Sequence, residues 1–205
     1  MDIIDMFSKE IELEKIVAQA LDELIQCEDF HTIDAFRFFD TEEKGVVDSY
    51  QIKKGLEKAK IACDVDSICL FLARFDRDLD QSLRYSEFCE AFLQRDDEKM
   101  RQIAKRVPRN VHNQFTYNEM FQAATRRAYA NCWQAYFNAE RETEKLRQEL
   151  MKNPFTDIQQ AFSIFDRDQK GFFTVQDLKH AFERNGLKFR EDECKLVFYK
   201  FNGLA

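Results

Sequence analysis

The sequence has no apolar run that approaches the ~20 residues needed to span a lipid bilayer. Its opening residues, Met-Asp-Ile-Ile-Asp-Met, lack the basic region of a secretory signal. The formal net charge of −7 gives no reason to expect binding to nucleic acid. These absences predict a cytoplasmic protein with no membrane span and no nucleic-acid partner.

The short motifs of common catalytic sites are also missing. The sequence contains no glycine-rich phosphate loop, no HExxH and no GxSxG. Its three histidines, His31, His112 and His180, are scattered along the chain. The six cysteines show no CxxC spacing of the kind found in metal sites, which predicts reduced, structural thiols. We therefore expect no enzymatic activity.

A twelve-residue stretch, residues 76–87, places oxygen-bearing side chains at the spacing that a calcium ion requires. Asp76, Asp78 and Asp80 fall at positions 1, 3 and 5, where carboxylates can wrap a hard cation. Ser82 at position 7 can offer its backbone carbonyl, and Glu87 at position 12 can close the shell with both oxygens. Apolar residues at helical spacing flank this loop on both sides, namely Ile68, Phe71, Leu72 and Phe75 before it and Phe88, Ala91 and Phe92 after it.

The apolar frame before this loop recurs three more times. Loops with the same frame begin at Asp40, Asp76, Asp166 and Asn202. Asp40 and Asp76 are 36 residues apart, as are Asp166 and Asn202, and each start in the first pair lies 126 residues before its counterpart. Two matching offsets indicate an internal duplication.

These phased loops resemble the EF-hand superfamily of calmodulin, centrin and troponin C, over residues 31–94 and 155–205. The resemblance implies an all-α fold of two paired EF-hand lobes. In that superfamily, two hands pair through a short strand contact at loop position 8, which is Val47, Leu83 or Phe173 here. All three residues are apolar, as such pairing requires.

The other loops have lost ligands. The first loop (40–51) carries Lys44 at position 5 and Gln51 at position 12, which leaves too little negative charge for calcium. The third loop (166–177) carries Lys170 at position 5 and the shorter Asp177 at position 12. We expect it to bind metal weakly or to prefer Mg²⁺.

The second and fourth loops also depart from the family pattern. Gln81 stands where glycine normally makes the sharp turn, and a non-glycine residue at positive φ costs on the order of 1 kcal/mol. Arg84 at position 9 cannot ligate a cation and repels it. The fourth loop, which starts at Asn202, reaches only position 4, so we expect either a longer native chain, which we favour, or completion by another molecule.

Two segments lie outside the loops and their helices. Residues 1–30 contain an amphipathic helix (8–27), which we expect to pack on the first EF-hand pair (31–95); the alternative is that it docks into a partner. Residues 96–153 form a helical linker with a basic stretch (Arg101, Lys105, Arg106, Arg109) and a long helix whose aromatic patch includes Trp133. The second pair occupies residues 154–205.

The methionines, at positions 1, 6, 100, 120 and 151, all lie outside the paired hands, whereas phenylalanine is abundant within them. Sensors of the calmodulin type expose a Met-rich groove, so a Phe-packed lobe favours one fixed partner. We therefore predict a calcium-binding structural or scaffolding module with one working site. The alternative is a calmodulin-like sensor whose first lobe opens to bind a target helix.

The duplicated layout is also similar to EF-hand proteins of protist cilia and flagella, several of which sit on axonemal microtubules. That similarity implies a cytoskeletal or axonemal protein partner and a location in the cilium or flagellum. It covers the architecture of the chain and no diagnostic motif.

Overall fold

A computed structural model of the chain describes residues 2–93, 97–109, 115–152 and 158–202, without the side chains of Asp97, Ile158 and Asn202. Within these ranges the structure is mostly helical, which confirms the all-α class. The chain divides into two compact units. Unit 1 combines Met1–Ile16 with Arg141–Ala205, and unit 2 is Val17–Glu140.

Unit 2 contains two helix–loop–helix segments, each with a short strand in its loop. Its elements within the described ranges are α2 (Thr32–Phe39), β1 (Val46–Asp48), α3 (Ser49–Lys58), α4 (Val65–Phe75), β2 (Ser82–Arg84), α5 (Tyr85–Phe92), α6 (Asp97–Ala104) and α7 (Tyr117–Met120). Unit 1 contains α9 (Ile158–Phe165), α10 (Val175–Arg184) and α11 (Glu191–Asn202). Two long helices, α1 (Ile3–Ile25) and α8 (Ala123–Met151), contribute residues to both units.

Side-chain caps fix where the helices after the loops begin. Asp48 accepts a hydrogen bond from the Gln51 N–H, and the Gln51 side chain accepts one from the Asp48 N–H, which forms a capping box before α3. Thr174 and Asp177 form the same arrangement before α10. The caps satisfy N–H groups that have no partner within the helix.

The predicted strand contact between the first two loops is confirmed. β1 and β2 are antiparallel, and Val47 lies opposite Leu83. Both side chains are fully buried. Phe173, the residue at the same position of the third loop, is not in a strand among the described residues. It packs instead on Phe165, at 5.1 Å between ring centroids, and on Phe162, at 5.8 Å.

The core of unit 2 is centred on Trp133 of α8, which is fully buried. Its ring lies 5.6 Å from Phe39 of α2, 4.6 Å from Phe71 of α4 and 5.5 Å from Phe92 of α5, measured between centroids. These three rings come from the apolar faces of the helices that enter or leave the two loops. The aromatic patch predicted around Trp133 is therefore buried within the unit.

The first half of α1 belongs to unit 1 rather than to the first pair. Ile4 and Ile11 are buried in one cluster with Phe165 of α9 and Phe182 of α10. Phe7 packs edge-on against Phe165, with the centroids 5.3 Å apart. We expected the whole amphipathic helix to pack on the first pair, but its 23 residues span the boundary between the units, and only the second half lies in unit 2.

A buried ion cluster ties α1 to α11 within unit 1. The Lys200 ammonium lies 3.0 Å from Glu10 Oε2 and 3.1 Å from Glu14 Oε1, and it donates a hydrogen bond of 3.0 Å to Thr143 Oγ1. All four residues have little contact with solvent. Breaking such a buried cluster on one side leaves an unpaired charge, so its cost is large.

The basic stretch has a structural task that the sequence did not reveal. The Arg106 guanidinium donates hydrogen bonds to the backbone carbonyls of Ile25, Cys27 and Phe30, at 2.6, 2.9 and 3.0 Å. It thereby satisfies carbonyls at and just beyond the C-terminal end of α1, where a cation also complements the helix dipole. The cap around Asn153, the histidine at 112 and the fourth-loop residues 203–205 lie outside the described residues.

The close packing of α2 on α3 gives a test of the unit 2 core. A Cβ atom on Gly55 would lie 2.4 Å from Phe39 Cδ1, so Gly55→Ala must displace the ring that packs on Trp133. In an exposed helix the same change stabilises by up to about 1 kcal/mol, but here we expect a loss of about 1–3 kcal/mol in the free energy of unfolding. Urea unfolding measures it.

Lys58→Ala, at an exposed position of the same helix, is the matched control and should change stability by less than about 0.5 kcal/mol. A Gly55→Ala protein as stable as the parent would show that Phe39 does not need this close approach.

Candidate metal centre

The five predicted ligands are carried by the junction between α4 and α5. Asp76 is the C-cap of α4, and Asp78 and Asp80 follow in the loop. Ser82 begins β2, and Glu87 lies in the first turn of α5. The β1–β2 pairing holds the second half of this loop. The end of α4, the strand β2 and the start of α5 therefore position the five residues.

The structure brings three of the five side chains together. Carboxylate oxygens of Asp76, Asp78 and Asp80 lie within 4.8 Å of one another. The Asp76 side chain is buried, and the other two are exposed. Three convergent carboxylates are a donor set that suits a hard divalent cation such as Ca²⁺, so these residues fit the predicted ion.

Glu87 is not part of that group. Its Oε1 accepts a hydrogen bond of 2.9 Å from the Arg77 N–H, and its Oε2 accepts one of 2.9 Å from the Arg84 N–H. The buried carboxylate therefore ties the start of the loop to the start of α5. Calcium coordination by Glu87 would replace these hydrogen bonds.

The first aspartate organises each described loop in the same way. Asp76 Oδ1 and Oδ2 accept hydrogen bonds from the N–H groups of Asp80, at 3.2 Å, and Gln81, at 2.8 Å. Asp40 and Asp166 accept bonds of 2.7–2.9 Å from the two corresponding N–H groups of their own loops. The first aspartate thus helps to set the turn of all three loops.

Gln81 has the strained backbone predicted for it. Its φ is +67°, close to the +77° of Gly45 and the +82° of Gly171 at the same position of the other loops. The glycines adopt this left-handed conformation at no steric cost, whereas Gln81 loses on the order of 1 kcal/mol to it.

Ser82 makes a further contact inside the second loop. Its Oγ and its N–H both donate to Asp80 Oδ1, at 2.7 and 2.9 Å. These bonds hold the pKa of the Asp80 carboxyl below its ordinary value, with the Arg84 charge as a smaller cause.

Each described loop also contains a basic side chain that pairs with one of the loop's own carboxylates. Lys44 Nζ lies 2.5 Å from Glu42 Oε2 in the first loop, and Lys170 Nζ lies 2.8 Å from Asp177 Oδ2 in the third. In the second loop, Arg84 Nη2 lies 2.9 Å from Asp78 Oδ2. The sequence marked these three basic residues as obstacles to calcium, but not as partners of the loop carboxylates. The sequence signal that could have indicated these pairs is a basic residue at position 5 or 9 together with an acidic residue at position 3 or 12 of the same loop.

Comparison with known families finds one match. A family model described as an EF-hand domain matches residues 157–187, which include α9, the third loop and α10. The match supports the resemblance to the EF-hand superfamily in this segment, and an EF-hand domain suggests calcium binding. No curated protein and no solved structure matches the chain significantly. No helix in the described part of the chain is both long enough and apolar enough to cross a membrane.

The ion pair of the third loop predicts a pH dependence. The Lys170 ammonium, together with hydrogen bonds from Thr174, lowers the pKa of Asp177 from 3.8 to about 2. Because the folded pKa is depressed, the stabilisation is fully present above 3.8 and is lost as the pH falls towards 2. We expect a loss of at most about 1 kcal/mol, since the pair is close to solvent.

Chemical unfolding across that pH interval measures this loss, and Asp177→Asn should remove it. Asp168→Asn, an exposed acid of the same loop, should retain it. Equal pH profiles for the parent and Asp177→Asn would show that the pair contributes nothing to stability.

Proposed function

We propose that this protein is a non-enzymatic EF-hand scaffold made of two EF-hand pairs, in which calcium binds at the second loop and stabilises the fold locally. Asp76, Asp78, Asp80 and Glu87 would supply carboxylate oxygens, and Ser82 a backbone carbonyl. The bound ion would supply positive charge that neutralises converging carboxylates. In the first loop, Lys44 works against Ca²⁺, whereas the third loop would bind metal weakly or prefer Mg²⁺.

The burial of α8 against the first pair carries the scaffold proposal. EF-hand sensors present the apolar faces of their paired helices to a target helix. In unit 2 those faces contact Trp133 of the same chain, and Tyr136 packs on Phe71 and Phe75 at 5.3 and 5.6 Å between centroids. The surface that a sensor would offer to a target helix is therefore covered by α8 of the same chain.

Polar contacts hold α8 in this position. The Tyr136 hydroxyl donates a hydrogen bond to the Ala91 carbonyl of α5. Arg74 Nη1 lies 2.6 Å from Glu140 Oε1, and both side chains are largely buried. A buried charge-assisted pair is costly to break on one side, so α8 is fixed as well as packed.

Approximate magnitudes favour a lobe that stays closed. Four rings of α8 are buried, namely Tyr129, Trp133, Tyr136 and Phe137, and burial of a side chain such as Phe137 stabilises by about 1.5–3 kcal/mol. A ligand present at a hundred times its dissociation constant contributes about 2.7 kcal/mol. Calcium at one loop is therefore too weak to expel the helix.

Trp133 is the single tryptophan of the chain, which makes the closed lobe directly measurable. On calcium addition we expect no red shift of its emission and no rise in ANS fluorescence, because the ring stays buried. A clear change in both signals would favour the calmodulin-like sensor. Trp133→Asp should bind ANS without calcium and serves as the control for an uncovered lobe.

The metal site itself is tested by calorimetric titration with calcium. We expect one binding event in the parent chain that is lost in Glu87→Gln, because the closing carboxylate is removed. Glu90→Gln, on the same helix but paired with Arg77, should bind as the parent does. No heat and no stabilisation at millimolar calcium would overturn the calcium proposal.

The partner of the scaffold stays a prediction. A location on the axoneme of a cilium or flagellum predicts co-localisation with axonemal microtubules and co-sedimentation with them. A diffuse signal without microtubule binding would remove that partner.

A further inference from the structure

Arg84 has a position in the second loop that goes beyond passive repulsion of a cation. Its Nη2 lies 2.9 Å from Asp78 Oδ2 and 3.8 Å from Asp80 Oδ2. These are two of the three carboxylates that converge there. We propose that the Arg84 guanidinium competes with calcium. It pairs with these carboxylates until the ion displaces it, and this competition sets the calcium affinity of the site. This inference rests on the calcium site proposed above.

The backbone of Arg84 allows its side chain to leave without disturbing the loop. Arg84 is the last residue of β2 and pairs with Val46 of β1. Its N–H donates to Glu87 Oε2, at the start of α5. The guanidinium can therefore leave Asp78 while the pairing of Arg84 with Val46 is kept.

Comparison with the third loop explains why this competitor is displaceable. The Lys170 side chain is 31% exposed and bonds Asp177, the residue that would have to close the metal shell. The Arg84 side chain is 60% exposed and leaves both Asp76 and Glu87 to other partners. In the third loop, Lys170 thus pairs with the carboxylate at position 12. In the second loop, Arg84 pairs only with carboxylates at positions 3 and 5.

Electrostatics gives the direction of two effects. Without calcium, Arg84 offsets the mutual repulsion of three carboxylates and stabilises the loop. With calcium, the same charge must be displaced and then repels the divalent ion at short range. Removal of the charge should therefore lower the stability of the calcium-free protein and raise its affinity for calcium.

The test is Arg84→Gln, measured by calcium titration and by thermal unfolding in EGTA. We expect calcium affinity to rise by about three- to tenfold at low ionic strength, with a smaller gain in high salt because exposed charges are screened. The melting temperature in EGTA should fall. Arg84→Lys, which keeps the charge, should remain close to the parent in both measurements.

Arg77→Gln is the matched control, because it removes the same charge from the same loop. Arg77 Nη2 pairs with Glu90, so we expect less than a twofold change in affinity, on the basis that exposed charges act weakly at a distance. Equal gains in Arg77→Gln and Arg84→Gln would overturn the inference, because the effect would then be one of net charge.

The outcomes separate this inference from the proposed function. Calcium binding by the parent with unchanged affinity in Arg84→Gln overturns the role of Arg84 alone. Binding in Arg84→Gln but not in the parent overturns the parent's calcium site and supports the competitor. No binding in either protein at millimolar calcium overturns both.

Discussion

The position of the Trp133 ring between Phe39, Phe71 and Phe92 is the contact on which unit 2 depends. Each of these phenylalanines belongs to a helix next to a loop, and each contributes one wall of the pocket that the indole fills. Loss of the indole would leave a large cavity, which costs several kcal/mol in a close-packed core. The part of α8 up to Glu140 is thus packed into the core of unit 2.

The loops, by contrast, are stabilised by polar groups within each loop. Asp76, Asp40 and Asp166 each accept two backbone N–H bonds, and each loop pairs a basic side chain with one of its own acids. The basic side chains differ in exposure, which is 62% for Lys44, 60% for Arg84 and 31% for Lys170.

Local patterns predicted much of the architecture. The apolar frame before each loop anticipated α2, α4 and α9, and the apolar residues at loop position 8 anticipated the pairing of Val47 with Leu83. The convergence of Asp76, Asp78 and Asp80 also followed from spacing alone. Such features depend on contacts between residues near in sequence, for which helix and turn periodicity are direct signals.

Contacts between distant segments could not be read from the sequence in the same way. An amphipathic helix shows which of its faces is apolar but not what covers that face, so the placement of Ile4 and Ile11 with Phe182 in unit 1 was missed. Arg106 looked like part of a basic stretch because its carbonyl partners lie about 80 residues earlier in the chain. The charged pairs within the loops were missed for a different reason, since side-chain direction is needed as well as spacing.

The second loop and the buried aromatic core are linked through the helices that they share. Asp76 is the C-cap of α4, whose Phe71 and Phe75 contact Tyr136, and Glu87 lies in α5, whose Ala91 carbonyl accepts the Tyr136 hydroxyl. An ion held by Asp76 and Glu87 together would fix the end of α4 to the start of α5. Both helices contact α8. The restraint on these two helices would therefore favour the arrangement in which α8 is packed against them. If calcium binds there as proposed, it would strengthen the closed state of unit 2, the opposite of what a sensor requires.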